Sequence, residues 1–83
     1  MTLDGWIAHV NSLGLLCHQI TQLDDGSWQV SCRTRPVTPD LARNPEFTDL
    51  GRGTSPEEAF ATMFRSKRFR AWEKRPIRGR NLL

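Results

Sequence analysis

Cysteine is scarce in this chain: 83 residues contain only Cys17 and Cys32. That excludes the disulfide framework that holds many small secreted domains together. No apolar run approaches the roughly 18–20 residues that a membrane-crossing helix requires. No Lys or Arg precedes Arg33, and Asp4 stands near the start, so the basic-then-apolar layout of a signal peptide is not expected here. There is no CxxC or HxxxH spacing for zinc. No internal repeat is present either. These absences lead to the expectation of an intracellular, cytoplasmic protein with no membrane partner. At this length the chain makes one domain, burying about 60–65% of its unfolded surface.

What is present is charge, unevenly placed. Residues 1–64 carry four basic residues (Arg33, Arg35, Arg43, Arg52) against eight acidic ones, a net of −4. Residues 65–83 carry eight basic residues against Glu73 alone, a net of +7. The densest stretch is FRSKRFRAWEKRPIRGR, where two aromatics stand among the cations. Blocks of one sign bind polyanions: nucleic acid, an anionic surface or an acidic protein face.

The acidic body reads as helix, strand, strand, strand, helix. Thr2 caps a first helix, with Leu3, Trp6, Val10 and Leu13 on one face, Ile7 at its edge, and Gly14 as the left-handed stop. LLCHQITQL and SWQVSCRTR flank Asp24-Asp25-Gly26, a hairpin turn with Leu23 facing Ser27. That register pairs Ile20 with Val30, Gln22 with Trp28 and His18 with Cys32. It puts Leu16, Ile20, Trp28 and Val30 on the buried face, and Gln19, Thr21, Gln29, Ser31 and Arg33 on the other. RPVTPDLARNP (35–45) is a long loop with one helical turn at Pro39–Arg43, and long loops tend to be functional or mobile. EFTDL is a short third strand with Phe47 or Leu50 turned inward. Ser55-Pro56-Glu57-Glu58 supplies an N-cap, a proline at the first helical position and a capping-box glutamate. Phe60, Met63 and Phe64, with Ala59 at the edge, form that helix's apolar face. The expected fold is an α+β, α-β-β-β-α sandwich: a three-stranded antiparallel sheet with two helices on one face. Residues 1–72 form the single domain and 73–83 a basic C-terminal tail.

The order of elements resembles the double-stranded-RNA-binding domain, with LGRGTSPEEAFATMF at the place where that family has a glycine-rich strand end leading into its second helix. That family begins the helix with phosphate-gripping lysines. Here Pro56, Glu57 and Glu58 occupy those places, so the family's RNA-binding residues are not carried over. DDGSWQVSC followed by EFTDLGRGTSPEEAF is similar to the hairpin, third strand and helix start of HicB-type antitoxin domains, over roughly residues 24–64. Small phage-encoded α-β-β-β-α sandwich proteins look similar too. These resemblances imply a binding protein or inhibitor.

Little in the chain suggests catalysis. His9, Cys17, His18 and Cys32 are the metal-ligating types, but adjacent Cys17 and His18 point to opposite faces of a strand. Only His18 and Cys32 meet, which gives two ligands where zinc takes four. The same argument disfavours a Cys17–Cys32 disulfide, so both thiols are expected free. No nucleophile elbow accompanies the histidines. LGRGTS lacks the lysine of a phosphate loop and reads as a structural turn. The expectation is no enzyme, no metal and no cofactor.

The basic segment therefore carries the functional expectation. At 100° per residue the core face of the last helix is centred on Phe60 and Phe64, and continuing the helix would bury Lys67. Either the helix ends near 65–67 and Phe69 and Trp72 fold back onto the core, or it projects and presents aromatics between arginines. The candidate contact residues are Arg65, Lys67, Arg68, Phe69, Arg70, Trp72, Lys74, Arg75, Arg78 and Arg80. Their expected partner is nucleic acid, with Phe69 or Trp72 stacking on bases. The alternative is an inhibitor of phage or toxin–antitoxin type that occludes an acidic or nucleic-acid-binding protein, using the same cations and the 35–45 loop.

Overall fold

A computed structural model describes residues 1–74. The elements are α1 (Leu3–Ser12), β1 (Leu15–Gln22), β2 (Trp28–Thr34), α2 (Pro39–Arg43), β3 (Thr48–Gly53), α3 (Pro56–Phe64) and α4 (Lys67–Glu73). The strands form one antiparallel sheet in the order β1-β2-β3. α1 packs on β1, α3 packs on β2 and β3, and the two helices touch each other. The expected α+β class and α-β-β-β-α order are present, with the short α2 inserted before β3 and α4 added after α3.

Local chemistry starts every helix. Thr2, Thr38, Ser55 and Ser66 each accept an amide N–H from the first turn, from Gly5, Leu41, Glu58 and Phe69 respectively, all at 3.1 Å. Such caps are worth about 1 kcal/mol each. The Glu58 carboxylate reaches back one residue beyond the cap and accepts from the N–H (3.2 Å) and hydroxyl (3.0 Å) of Thr54.

The hairpin turn closes as its residues dictate. The Leu23 N–H donates to the Ser27 carbonyl at 2.7 Å, and Gly26 takes a φ of 88° that other residues adopt at a cost. Gln22–Trp28 and Ile20–Val30 pair as expected. The register then shifts between Cys17 and Gln19, so Cys17, not His18, stands opposite Cys32. Leu15 and Ile20 are five positions apart and would face opposite ways in a regular strand. One extra residue lets both face inward. Leu15 is consequently buried, while Leu16, expected inside, is 37% exposed. His18 instead meets Ser31, Nε2 to Oγ 3.0 Å. Trp28 is half-buried at the end of the sheet, opposite Gly53, rather than part of the core cluster.

LGRGTS is not a turn: Gly51 and Gly53 belong to β3. Both sit on the face covered by α3. A Cβ on Gly51 would collide with the Ala59 carbonyl oxygen, and one on Gly53 would lie 2.7 Å from the Ala59 nitrogen. The missing side chains let the helix backbone rest directly on the strand. Leu50, just before Gly51, points to the opposite face and is half exposed, whereas Phe47 is the residue that turns inward. Thr34 fixes Phe47: its Oγ1 accepts the Phe47 N–H at 2.9 Å and donates to the Phe47 carbonyl at 3.1 Å. The Thr34 hydroxyl is therefore fully buried and fully paired.

On the sheet's other face, Arg33 Nη2 donates to the carbonyls of Leu41 (3.0 Å) and Ala42 (2.8 Å), which pins α2. Leu41 is buried beneath it. Arg35 Nη2 reaches Asn11 Oδ1 at 3.2 Å. The 35–45 loop is thus tied down at several points.

Candidate nucleic-acid interface

Ser66 ends the run of α3 and starts α4. Its Oγ accepts the Phe69 N–H and donates to Asp49 Oδ2 at 3.2 Å, which anchors the new helix to β3. From there the chain folds back. Phe69 and Trp72 are 4% and 1% exposed. Phe69 meets Phe64 edge-on at 4.7 Å and Phe47 at 5.9 Å, and Trp72 meets Phe47 at 5.2 Å. Trp6 stacks on Phe64 at 5.4 Å, so a chain of rings runs from α1 to α4. Each such ring pair adds about 0.5–1.5 kcal/mol beyond area burial.

Burial of these rings corrects one part of the site expectation. Neither Phe69 nor Trp72 has a face open to stack on a base. The chain takes the first of the two routes open to it: α3 stops at Phe64, the axis turns, and the aromatics become core. In a continued helix the two rings would have left the core face. The turn at Arg65–Ser66 resets the phase.

Resetting the phase also sorts the charges. Phe69 and Trp72 lie 60° apart on the α4 wheel at 100° per residue. Lys67, Arg70 and Lys74 fall on the opposite side, and all three are exposed. Arg65, at the end of α3, and Arg68, on the flank of α4, are exposed as well. Among residues 65–74 five cations face one acid, Glu73. Arg68 is braced: Nη1 donates to the Thr48 carbonyl at 3.0 Å and lies 3.8 Å from Asp49 Oδ1, with its side chain still 65% exposed. Arg75, Arg78 and Arg80 lie outside the described residues, as does most of the 73–83 tail.

Beside Arg68 is a cleft of about 210 Å³ lined by Pro45, Glu46, Phe47, Thr48, Arg68 and Trp72. Ligand pockets usually occupy roughly 300–1,000 Å³. Among the described residues no three His, Cys, Asp or Glu side chains are grouped to hold a metal ion, and no helix is long and apolar enough to cross a membrane. The arrangement offers exposed cations on a short helix whose underside is locked into the core.

Two features escaped the sequence reading. Asp49 is the anchor of α4, but its tie to Ser66 and Arg68 is a long-range contact with no local signature. The Cys17–Cys32 pairing depends on the bulge at His18. Its one available signal was the odd spacing of two core-facing residues, Leu15 and Ile20. Comparison of the chain with protein-family models, with characterised proteins and with solved structures finds no match.

Proposed function

We propose that this is a small non-enzymatic protein that binds nucleic acid through its C-terminal basic segment. The observation that carries the reading is the sorting of α4: aromatics beneath, Lys67, Arg70 and Lys74 outward, Arg65 and Arg68 alongside. With Phe69 and Trp72 buried, the contact is made to phosphates and not by base stacking. Such contacts position a protein on a backbone without reading sequence. Docking of the helix fixes the cations in place before binding, which lowers the ordering cost on association. Arg75, Arg78 and Arg80 extend the same charge along the chain.

The test is anisotropy of labelled duplex and single-stranded oligonucleotides titrated across salt. Affinity should fall steeply as salt rises, by about 0.7–0.9 log units per log unit of salt for each phosphate contact. The combined substitution Lys67→Gln, Arg70→Gln, Lys74→Gln should flatten that slope by roughly 2–3. No binding to either oligonucleotide near physiological salt would remove this reading.

The resemblance of residues 24–64 to HicB-type antitoxins supports a second reading, an inhibitor that occludes a protein. There the same cations engage an acidic or nucleic-acid-binding groove. The anchoring of the 35–45 loop by Arg33 and Arg35 leaves the loop less free to reshape around a partner. Capture of a protein that survives nuclease treatment would favour this reading.

A further inference from the structure

Cys17 and Cys32 stand directly opposite each other on neighbouring antiparallel strands. Directly opposed residues in such a pair have Cα atoms about 4.5 or 5.5 Å apart. Both spacings fall inside the roughly 4.4–6.8 Å range of disulfides. Both thiols are free in the structure. Their surroundings are unequal. Cys32 is 0% exposed in the core, whereas Cys17 is only partly covered on the edge strand. The bulge wraps the Gln19 backbone around the Cys17 sulfur, with Sγ 3.6 Å from the Gln19 carbonyl. Asp49 stands opposite Cys32 on its other side, so Cys17, Cys32 and Asp49 form one rung across the sheet.

We propose that Cys17 and Cys32 form a reversible redox pair, with Cys17 as the attacking thiol, Cys32 as the resolving thiol and hydrogen peroxide as the oxidant. The Cys17 thiolate attacks one peroxide oxygen. The O–O bond breaks, hydroxide leaves, and Cys17 becomes a sulfenic acid. The Cys32 sulfur then attacks the Cys17 sulfur. The S–O bond breaks, and the Cys32 proton leaves with the hydroxyl as water. The two thiols supply the two electrons that reduce the peroxide to water, and a cross-strand disulfide remains. The asymmetry of the pair supports the assignment. The hydrogen bond from the Cys32 thiol lowers Cys17 to about 7, against partial burial and with the backbone of Gln19 and Ser31 assisting. Cys32 is pushed upward by that same hydrogen bond, by burial, and by the charges of Cys17 and Asp49. A thiolate that attacks and a buried thiol that keeps its proton until the second step are the two roles required.

The experiment treats the full chain and its Cys17→Ser and Cys32→Ser variants with hydrogen peroxide. Each sample is then unfolded in N-ethylmaleimide and weighed intact. The wild type should lose the mass of two hydrogens, take up no label, and recover both labels after dithiothreitol. Cys32→Ser should stop at a sulfenic acid that dimedone captures. Cys17→Ser should keep a labelled Cys32 through the same exposure. If Cys32→Ser does not fold, Cys32→Ala takes its place, and peptide mapping of the oxidised wild type gives the linkage by itself. Two labelled thiols in the wild type at a peroxide dose that oxidises Cys32→Ser would overturn the proposal. So would disulfides found only between chains, or equal oxidation of the two single-cysteine variants.

Discussion

The rings of Phe47 and Trp72 lie 5.2 Å apart, tilted by 37°. Phe47 is held from behind by Thr34, and Trp72 is the last large side chain of α4. This contact turns a basic, aromatic-bearing stretch into a docked helix. It also divides the stretch into residues that hold the fold and residues that face outward.

Trp72→Ala should therefore act on stability. Removing a buried Trp costs about 3–5 kcal/mol, a large share of what a domain of this size possesses. Urea unfolding should show the loss. Lys74→Gln, two positions later and exposed, should stay within about 0.5 kcal/mol of wild type. Equal effects of the two substitutions would contradict the placement of α4.

Thr34→Val keeps shape and removes the hydroxyl that serves the Phe47 N–H. An orphaned buried amide costs about 1–3 kcal/mol. Thermal denaturation should register this, and hydrogen exchange at the Phe47 amide should accelerate. A neutral result would mean that another partner serves that amide.

Gly51→Ala inserts a methyl group into the Ala59 carbonyl and the Met63 backbone. These are backbone atoms of a packed helix and cannot swing aside. The cost should be about 3 kcal/mol, at the upper end of overpacking. Circular dichroism in urea gives the number, and a fully stable variant would show that α3 rides higher above β3.

Alkylation of native protein by iodoacetamide should label Cys17 alone. Thiolate is the reactive form, and the Cys32 thiol holds Cys17 at about 7. The labelling rate should level off above that pH and fall about tenfold per unit below it. Cys32, buried and shifted upward by Cys17, burial and the charge of Asp49, should stay silent until unfolding. Mass spectrometry of labelled peptides across pH measures both.

Deletion of residues 75–83 should leave the fold intact, because every member of the core cluster among the described residues lies at or before Trp72. It removes Arg75, Arg78 and Arg80. Under the nucleic-acid reading, affinity and its salt dependence should both decrease, with a slope flatter by roughly 2–3. Unchanged binding by the truncated chain would confine the contact to residues 65–74.

Signals that a few neighbouring residues can settle among themselves were legible without coordinates. Thr2, Ser55-Pro56 and the Asp25-Gly26 turn each satisfy backbone groups within one turn of chain, so the starts of α1 and α3 and the top of the hairpin follow from local sequence. The helical turn at Pro39–Arg43 belongs to the same class. So does the excess of cations after Phe64, which is composition alone. Tertiary structure decided the rest. Whether β1 slips by one residue depends on the joint burial of Leu15 and Ile20 against Val30, Cys32 and the helices, and that slip is what brings Cys17 opposite Cys32. Whether two glycines end a strand or continue it depends on a helix backbone needing their space. Whether Phe69 and Trp72 face a partner or the core depends on Phe47, which only the folded chain places beneath them. Short-range hydrogen bonds are written into the sequence. The faces that side chains finally take are set by apolar contacts between segments that meet only on folding.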